Sequence, residues 1–285
     1  MKKRREYVAV LAFLAAIIGI SGCSRQKEEK LTKYDTQFFE LFDTVTSVTG
    51  YARDEKTFQS YVDVFYDELK EYHQLYDIYN DYEGINNIKT INDHAGIEPV
   101  EVDDKIIQML EEAVDIYELT DGNMNVAMGS VLSIWHEYRE AGLKHPEQAQ
   151  LPPQEELEEA AKHMDIRKMV IDPEKKTVYL EDPDMSLDVG AIAKGYAAEM
   201  ASRKVEEAGL KHALISVGGN IRCIGTKPDG QKWVVGVQNP DTTSGERYLH
   251  RLGLDGMSLV TSGTYQRYYT VDGVNYHHII HPKLL

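Results

Sequence analysis

The chain has 285 residues, of which 42% are hydrophobic and 27% charged, an ordinary composition for a folded protein large enough to bury a core. Its formal net charge is −16 and no Lys/Arg stripe is visible, which argues against nucleic acid as a partner. It has two cysteines, Cys23 and Cys223, so a fold held by several disulfides is excluded.

The N-terminus predicts an export signal. A basic start is followed by an apolar run, Val8–Ile20, which is shorter than the ~20 residues that a spanning helix needs. The next residues, "ISGC", resemble a bacterial lipobox, which implies cleavage before Cys23 and lipidation of its sulfur; the alternative is an ordinary signal peptide with a chance cysteine. We therefore predict a signal peptide over residues 1–22, a lipidated polar tether over 23–38, and anchoring on the outer face of the cell membrane.

Helical patterns follow in the first half of the chain. Lys56–Tyr79 is amphipathic, and residues 103–122 form a second pattern that starts at Asp103 or Asp104 and ends before a glycine. A third helix is predicted over 125–142. A short acidic helix is predicted over 151–163, after a Pro-Pro break.

The second half of the chain is rich in short β runs. Residues 168–182 predict a hairpin, and Asp272-Gly273 is a favourable two-residue hairpin turn because both positions tolerate positive φ. Cys223 alternates with apolar residues, so we interpret it as a buried small hydrophobe. Helices and hairpins without steady βαβ alternation favour an α+β fold.

One small-sided stretch, "SLDVGAIAKGYAAE" (Ser186–Glu199), predicts the entry to a helix. Gly190 and Ala191 would let a ligand approach the backbone, and Lys194, one turn into the helix, could meet an anion there. Asp188 could contact a ribose or a base, or simply cap the helix. The residues alone leave a ligand site and a tightly packed, capped helix equally open.

Glycine and histidine clusters lie further on, in "ISVGGNIRCIG", "VTSGTYQRYY" and "YHHIIHP". His277 and His278 are adjacent on a predicted strand and therefore point to opposite faces. The sequence has no HExxH, CxxC or GxSxG pattern, so interpretations as a zinc hydrolase or a serine hydrolase lack the necessary residues.

Taken in order behind the lipobox, "YEGINNIKTIN", "TDGNMNVAMGSVLSIWHEYR", "SLDVGAIAKGYAAE", "LISVGGNIRCIG", "VTSGTYQRYYTVDG" and "YHHII-P" resemble the ApbE family of FAD:protein FMN transferases. The resemblance runs from about Phe39 to Pro282. It implies an α+β, T-fold-like domain over 39–285, with mixed, largely antiparallel sheets flanked by helices.

The resemblance also implies a reaction. Such enzymes are magnesium-dependent, split FAD at its pyrophosphate, move FMN onto a Thr or Ser hydroxyl of a partner protein, and release AMP. The nucleophile then belongs to the acceptor, by analogy a membrane-associated redox subunit. In this motif the aspartate and the lysine, matching Asp188 and Lys194, contact FAD, and a main-chain carbonyl matching Ala191 binds the metal.

Other expected site residues follow from the resemblance less directly. His278 is the candidate base for the incoming hydroxyl. Two family acids are replaced, by Thr264 in "SGTY" and by His281 before Pro282. The expected further FAD contacts are Phe42, Tyr79, Asn123, Met124, Asn125 and Ile280.

The chain ends at Leu285, whereas the family pattern continues into an "ADALSTA"-like segment whose aspartate and threonine bind magnesium. We therefore expect weak or absent FMN transfer by this chain, which resembles a C-terminally truncated member. A non-catalytic flavin-binding lipoprotein and an inactive relic are the alternatives.

Overall fold

A computed structural model describes residues 30–241 and 243–285. The predicted signal peptide and Cys23 lie outside these residues. Within them, no helix combines the length and the apolar character that crossing a membrane requires.

The predicted helices are confirmed, with shifted bounds. The α-helices of the described residues are α1 (Glu55–Leu75), α2 (Ile88–Asp93), α3 (Asp104–Leu119), α4 (Gly129–Lys144), α5 (Gln154–Ala160) and α6 (Ala193–Glu207). The helix predicted over 125–142 is divided, because Asn125 caps a 3₁₀ turn, Val126–Met128, before α4 begins.

Capping sets the ends of the first helix. The Asp54 side chain accepts a hydrogen bond from the Thr57 N–H at 2.7 Å, so α1 begins at Glu55. The helix ends at Leu75 and not at Tyr79, because the chain turns there: the Asp77 carboxylate accepts the N–H of Tyr79 at 2.7 Å. Tyr79 therefore lies in the loop after α1.

The strands are β1 (Thr32–Phe38), β2 (Thr46–Ala52), β3 (Val100–Glu101), β4 (Met169–Asp172), β5 (Thr177–Leu180), β6 (Ala213–Val217), β7 (Asn220–Ile224), β8 (Trp233–Gln238), β9 (Tyr248–Leu254), β10 (Ser258–Val260), β11 (Tyr268–Val271) and β12 (Val274–His277). They form a five-stranded sheet in the order β1-β2-β6-β7-β10, a three-stranded sheet β3-β5-β4, and the hairpins β8–β9 and β11–β12. Every described strand pair is antiparallel. The α+β class is thereby confirmed.

Strand β1 lies within residues 23–38, whose polar composition predicts a tether. Its inward positions carry Tyr34 and Phe38, which alternate with exposed residues. Tyr34 stacks on Phe58 of α1 at 5.5 Å between ring centroids, and Phe38 meets Tyr66 edge-on at 5.0 Å. This period-2 burial explains why a polar segment pairs with β2.

The main core lies between the five-stranded sheet, α1 and α6. Helix α1 contributes large side chains, among them Phe65 and Leu69, and α6 faces it with Ala197 and Ala201, all at most 1% exposed. Small residues on α6 let the two helices approach closely. The start of α6, which carries the Lys194 motif, is thereby fixed to a rigid framework.

Two local predictions are confirmed. Cys223 is fully buried beside Trp233 and Leu254, and burial raises the pKa of its thiol to about 11. Asp272 and Gly273 adopt φ of 49° and 82°, the left-handed pair that a two-residue hairpin turn needs.

Candidate functional site

The backbone that carries Asp188 is held in place from two sides. The Asn92 side chain accepts the Leu187 N–H at 2.7 Å and donates to the Leu187 carbonyl at 3.0 Å. The N–H of Asp188 donates to the Val126 carbonyl at 2.8 Å. An otherwise irregular segment thus has its backbone groups satisfied, which keeps Asp188 in one position.

A glycine makes this arrangement possible. Gly129, the first residue of α4, donates its N–H to the Ser186 carbonyl at 2.9 Å. A Cβ built on Gly129 would lie 2.6 Å from the Ser186 carbonyl carbon, so no larger residue fits without moving the backbone. The start of α4 and the motif segment are therefore packed backbone to backbone.

The turn after Asp188 leads into α6. The Asp188 carboxylate accepts the Gly190 N–H at 2.8 Å, so it caps this turn and not the helix itself. Helix α6 begins at Ala193, which places Lys194 in its first turn rather than one turn inside it. Ala191 is exposed, and no N–H of the described residues donates to its carbonyl oxygen.

Lys194 is a largely buried cation with little local compensation. Burial lowers the pKa of Lys194 below its usual value, the charge of Arg267 lowers it further, and Asp188 and Asp43 oppose this effect. Within the described residues Lys194 forms no salt bridge. Such an ammonium is suited to an anionic ligand, since the described residues leave its charge without a salt-bridge partner.

The segment Phe42–Thr44 lies against the Gly-Gly turn between β6 and β7. Phe42 and Asp43 have φ of 56° and 49°, left-handed conformations that non-glycine residues seldom adopt. A Cβ on Gly218 would lie 2.5 Å from the Thr44 hydroxyl oxygen, so this glycine is required for the close approach. Because Asp43 acts on Lys194, this segment borders the same site.

The hairpin β11–β12 brings His278 to the site. The register pairs Tyr268 with His277, and the ladder continues one step beyond, where the His278 N–H donates to the Arg267 carbonyl at 3.1 Å. The His278 ring Nδ1 lies 3.2 Å from the same carbonyl oxygen. Burial lowers the pKa of His278, and the charges of Arg267 and Arg139 lower it further, although the contact with the Arg267 carbonyl opposes them.

Helix α4 supplies the neighbours of Tyr79. The Tyr79 ring is 61% exposed and lies 5.9 Å from the His136 ring, while Arg139 Nη2 lies 2.9 Å from His136 Nδ1. Desolvation raises the pKa of Tyr79, and the Asp188 charge adds to it, while Arg139 and Arg267 lower it. The charge of Arg267 thus acts on Tyr79, Lys194 and His278, and the charge of Asp188 acts on Tyr79 and Lys194.

The remaining predicted contacts have structural partners. The Asn125 side chain caps the 3₁₀ turn and donates to the Met164 carbonyl at 2.9 Å, whereas Asn123 is exposed and donates to the Thr120 carbonyl at 2.7 Å. Met124 packs against the main core. Ile280 packs against a smaller cluster that contains Val131 of α4. Their proposed contacts with FAD stay predictions.

Sequence reasoning missed Arg267 and Arg139. Nothing in the sequence pointed to Arg139. For Arg267 a signal was available: a two-residue turn at Asp272-Gly273 fixes the hairpin register, and that register places Arg267 opposite His278.

A metal ion fits these residues only in part. Mg²⁺ prefers about six oxygen ligands, among them carboxylates, and the free carbonyl of Ala191 supplies one. The described residues do bring His163, Asp182 and Asp184 together, but Lys168 already pairs with Asp182 at 2.7 Å and, with His163, lowers the pKa of that carboxyl to about 2. That cluster is an ion-pair network, so the described residues form no complete magnesium site.

The sequence profile of the ApbE family matches residues 42–284. The chain belongs to the ApbE family. The resemblance drawn from the motifs is thereby confirmed. This ApbE protein also matches the crystal structure of the ApbE protein from Thermotoga maritima with a TM-score of 0.75 and 29% identity, over 88% of this chain and 77% of that one.

Curated relatives of this ApbE protein carry the name FAD:protein FMN transferase. The Klebsiella pneumoniae (strain 342) protein is 30% identical over 204 residues, which cover 70% of this chain and 58% of that protein. The Treponema pallidum protein is 33% identical over 208 residues, which cover 68% of this chain and 55% of that protein. The chain thus spans little more than half the length of these two relatives.

Proposed function

We propose that this protein is an FAD:protein FMN transferase. Its relatives carry that name. The observation that supports the proposal most directly is Lys194, a partly buried residue at the start of α6 whose ammonium has no salt-bridge partner among the described residues. A helix start and a lysine together favour a bound phosphate group. The diphosphate of FAD has this charge and would lie across the Asp188–Lys194 turn.

The acceptor is proposed to supply the nucleophile. A Thr or Ser hydroxyl oxygen of a partner protein attacks the FMN phosphorus of FAD, the bond from this phosphorus to the AMP phosphate oxygen breaks, and AMP leaves with the electron pair. The hydroxyl proton needs a base. In this scheme the protein positions the diphosphate, offsets its charge and removes that proton.

His278 suits the role of that base. A carbonyl oxygen can only accept, so the contact with the Arg267 carbonyl requires the proton on Nδ1 and leaves the Nε2 lone pair free. The lowered pKa keeps the ring neutral at neutral pH, which is the form that accepts a proton.

We propose that the Ala191 carbonyl would help to hold a magnesium ion, which would offset negative charge on the diphosphate. The lipid anchor on Cys23 is likewise proposed from the "ISGC" junction, and a membrane-associated redox subunit from the family resemblance.

Covalent flavin transfer tests this proposal. The protein is incubated with FAD, Mg²⁺ and an acceptor domain bearing one flavinylation threonine, and the acceptor is separated by denaturing electrophoresis and examined for flavin fluorescence. A fluorescent acceptor band, absent when that threonine is changed to valine, supports the transferase. FAD binding without any labelled acceptor would contradict the transferase and favour one of the alternatives, a non-catalytic flavin-binding protein or an inactive relic.

The role of His278 has a matched control in its neighbour. His278→Gln removes the proposed base, and His277→Gln removes a ring that lies opposite Tyr268, one step along the same strand pair. Transfer should be lost in the first variant and retained in the second, with FAD binding kept in both. Equal transfer by the two variants would contradict the assignment of His278.

A further inference from the structure

We propose that Arg267 binds the phosphoryl group that is transferred, with its guanidinium beside Lys194 and next to His278. The inference rests on the proposed function and adds a substrate-binding residue to it.

The hairpin places Arg267 and His278 on one face. In an antiparallel ladder, directly opposite residues project their side chains to the same side. Tyr268 pairs with His277, and the His278 N–H donates to the Arg267 carbonyl at 3.1 Å, so Arg267 and His278 form the next opposite pair. Their side chains therefore share a face at the open end of the hairpin.

That face is the one turned toward the body of the protein. Side chains alternate along a strand, so Arg267 projects to the same side as Tyr269 and Val271, which are 2% and 9% exposed. The Tyr269 hydroxyl donates to the Gln150 carbonyl at 3.1 Å, and its ring packs on Gly142 of α4. Tyr269 thus docks the hairpin on α4, with the side of the strand that carries Arg267 turned toward the protein.

The charge of Arg267 is available to a ligand. Within the described residues its guanidinium forms no salt bridge, and it is exposed to solvent and hence to a ligand. It lies close enough to Lys194 and His278 to lower the pKa of each. The repulsion between two neighbouring cations is offset when an anion binds between them. A phosphate group is a suitable anion because it offers several oxygens to the guanidinium fork.

The position beside His278 selects one of the two FAD phosphates. If His278 takes the proton of the attacking hydroxyl, the phosphorus under attack, that of FMN, must lie next to it. A guanidinium on the same face would then contact the oxygens of this phosphoryl group, where charge must be stabilised as the bond to AMP breaks. FMN carries this phosphate too, whereas riboflavin lacks it.

Flavin binding by variants with matched charge changes tests the proposal. Arg267→Gln and Arg267→Lys are compared with Arg247→Gln, which removes the same charge from the β8–β9 hairpin, where Arg247 stacks on Tyr248. Dissociation constants for FAD, FMN and riboflavin are measured by flavin fluorescence. Arg267→Gln should weaken FAD and FMN at least tenfold and leave riboflavin unchanged, Arg267→Lys should recover part of the loss, and Arg247→Gln should match the wild type.

A second measurement, the pH–rate profile, would not change if Arg267 had only a structural role. Because the Arg267 charge lowers the pKa of His278, the acidic limb of the pH–rate profile should move to higher pH in Arg267→Gln. If the wild type binds FAD, and Arg267→Gln binds both FAD and FMN as tightly as the wild type does, the inference is wrong and the proposed function stands. If the wild type binds no FAD, both fall.

Discussion

Replacing Lys194 by methionine should separate ligand binding from folding. Methionine keeps an unbranched apolar stem of similar length but removes the ammonium, which has no salt-bridge partner among the described residues. A hydrogen bond to a charged group contributes ~1.5–3 kcal/mol, which corresponds to a loss of FAD affinity of about 10- to 150-fold. Lys204→Met, an exposed change of the same charge in the last turn of the same helix, is the control.

The same substitution should leave the stability of the ligand-free protein unchanged or raise it. The pKa of Lys194 is lower in the folded state than in the unfolded chain, mainly because of burial. Its charged form therefore destabilises the fold at neutral pH, and this penalty is relieved as pH rises from the folded pKa toward the unfolded value. Thermal unfolding of Lys194→Met at pH 7 should occur at the wild-type temperature or higher.

Isothermal titration with FAD and thermal unfolding without FAD together show whether Lys194 serves ligand binding or folding. Weaker FAD binding in a variant that folds at least as stably would assign Lys194 to the ligand. Unchanged FAD affinity in Lys194→Met, with Lys204→Met also unchanged, would refute the reasoning, because the buried charge would then serve no anion.

Three further outcomes are expected. The rate of FMN transfer should rise with pH through a pKa below 6.5 and then level off, since His278 must be neutral to accept a proton. In His278→Gln the rate should no longer rise with pH in this range and should be ~10²- to 10⁴-fold lower, as expected for the loss of a general base. Gly129→Ala should cost ~1–3 kcal/mol of unfolding free energy in denaturant titration, the usual cost of overpacking, and should weaken FAD binding by moving the Asp188 segment; wild-type values for both would contradict the close backbone packing. Cys23→Ser should release the protein from the membrane fraction or leave it uncleaved, and an unchanged fraction and gel mobility would refute the lipid anchor.

Local chemistry made much of the fold predictable. The start of α3 follows from Asp103 as its N-cap, and the β11–β12 turn follows from Asp272-Gly273. The burial of Cys223 follows from alternation with apolar neighbours. Each of these features depends on a few consecutive residues, whose propensities act before any tertiary contact forms.

Features that depend on distant contacts were not predictable. Asn92 holds Leu187 from 95 residues away, and no local pattern marks that amide as a clamp. Strand β1 is polar enough to suggest a tether, and only its partner β2 and the aromatic side chains of α1 make Tyr34 an inward position. The site as a whole is of this kind, because it is built from loops that the core brings together.

Neither Lys194 nor Arg267 forms a salt bridge within the described residues, which is consistent with the proposed function. In a chain with 47 acidic and 31 basic residues, carboxylate partners for Lys194 and Arg267 would be easy to provide. Such partners would compete with a phosphate for the same donors. The partial burial of the Lys194 charge makes the ligand-free protein less stable, and binding of a diphosphate would offset that cost. A partly buried lysine at a helix start, an arginine on the docked side of a hairpin and a neutral histidine opposite it are therefore better explained as parts of one anion site than as separate structural residues.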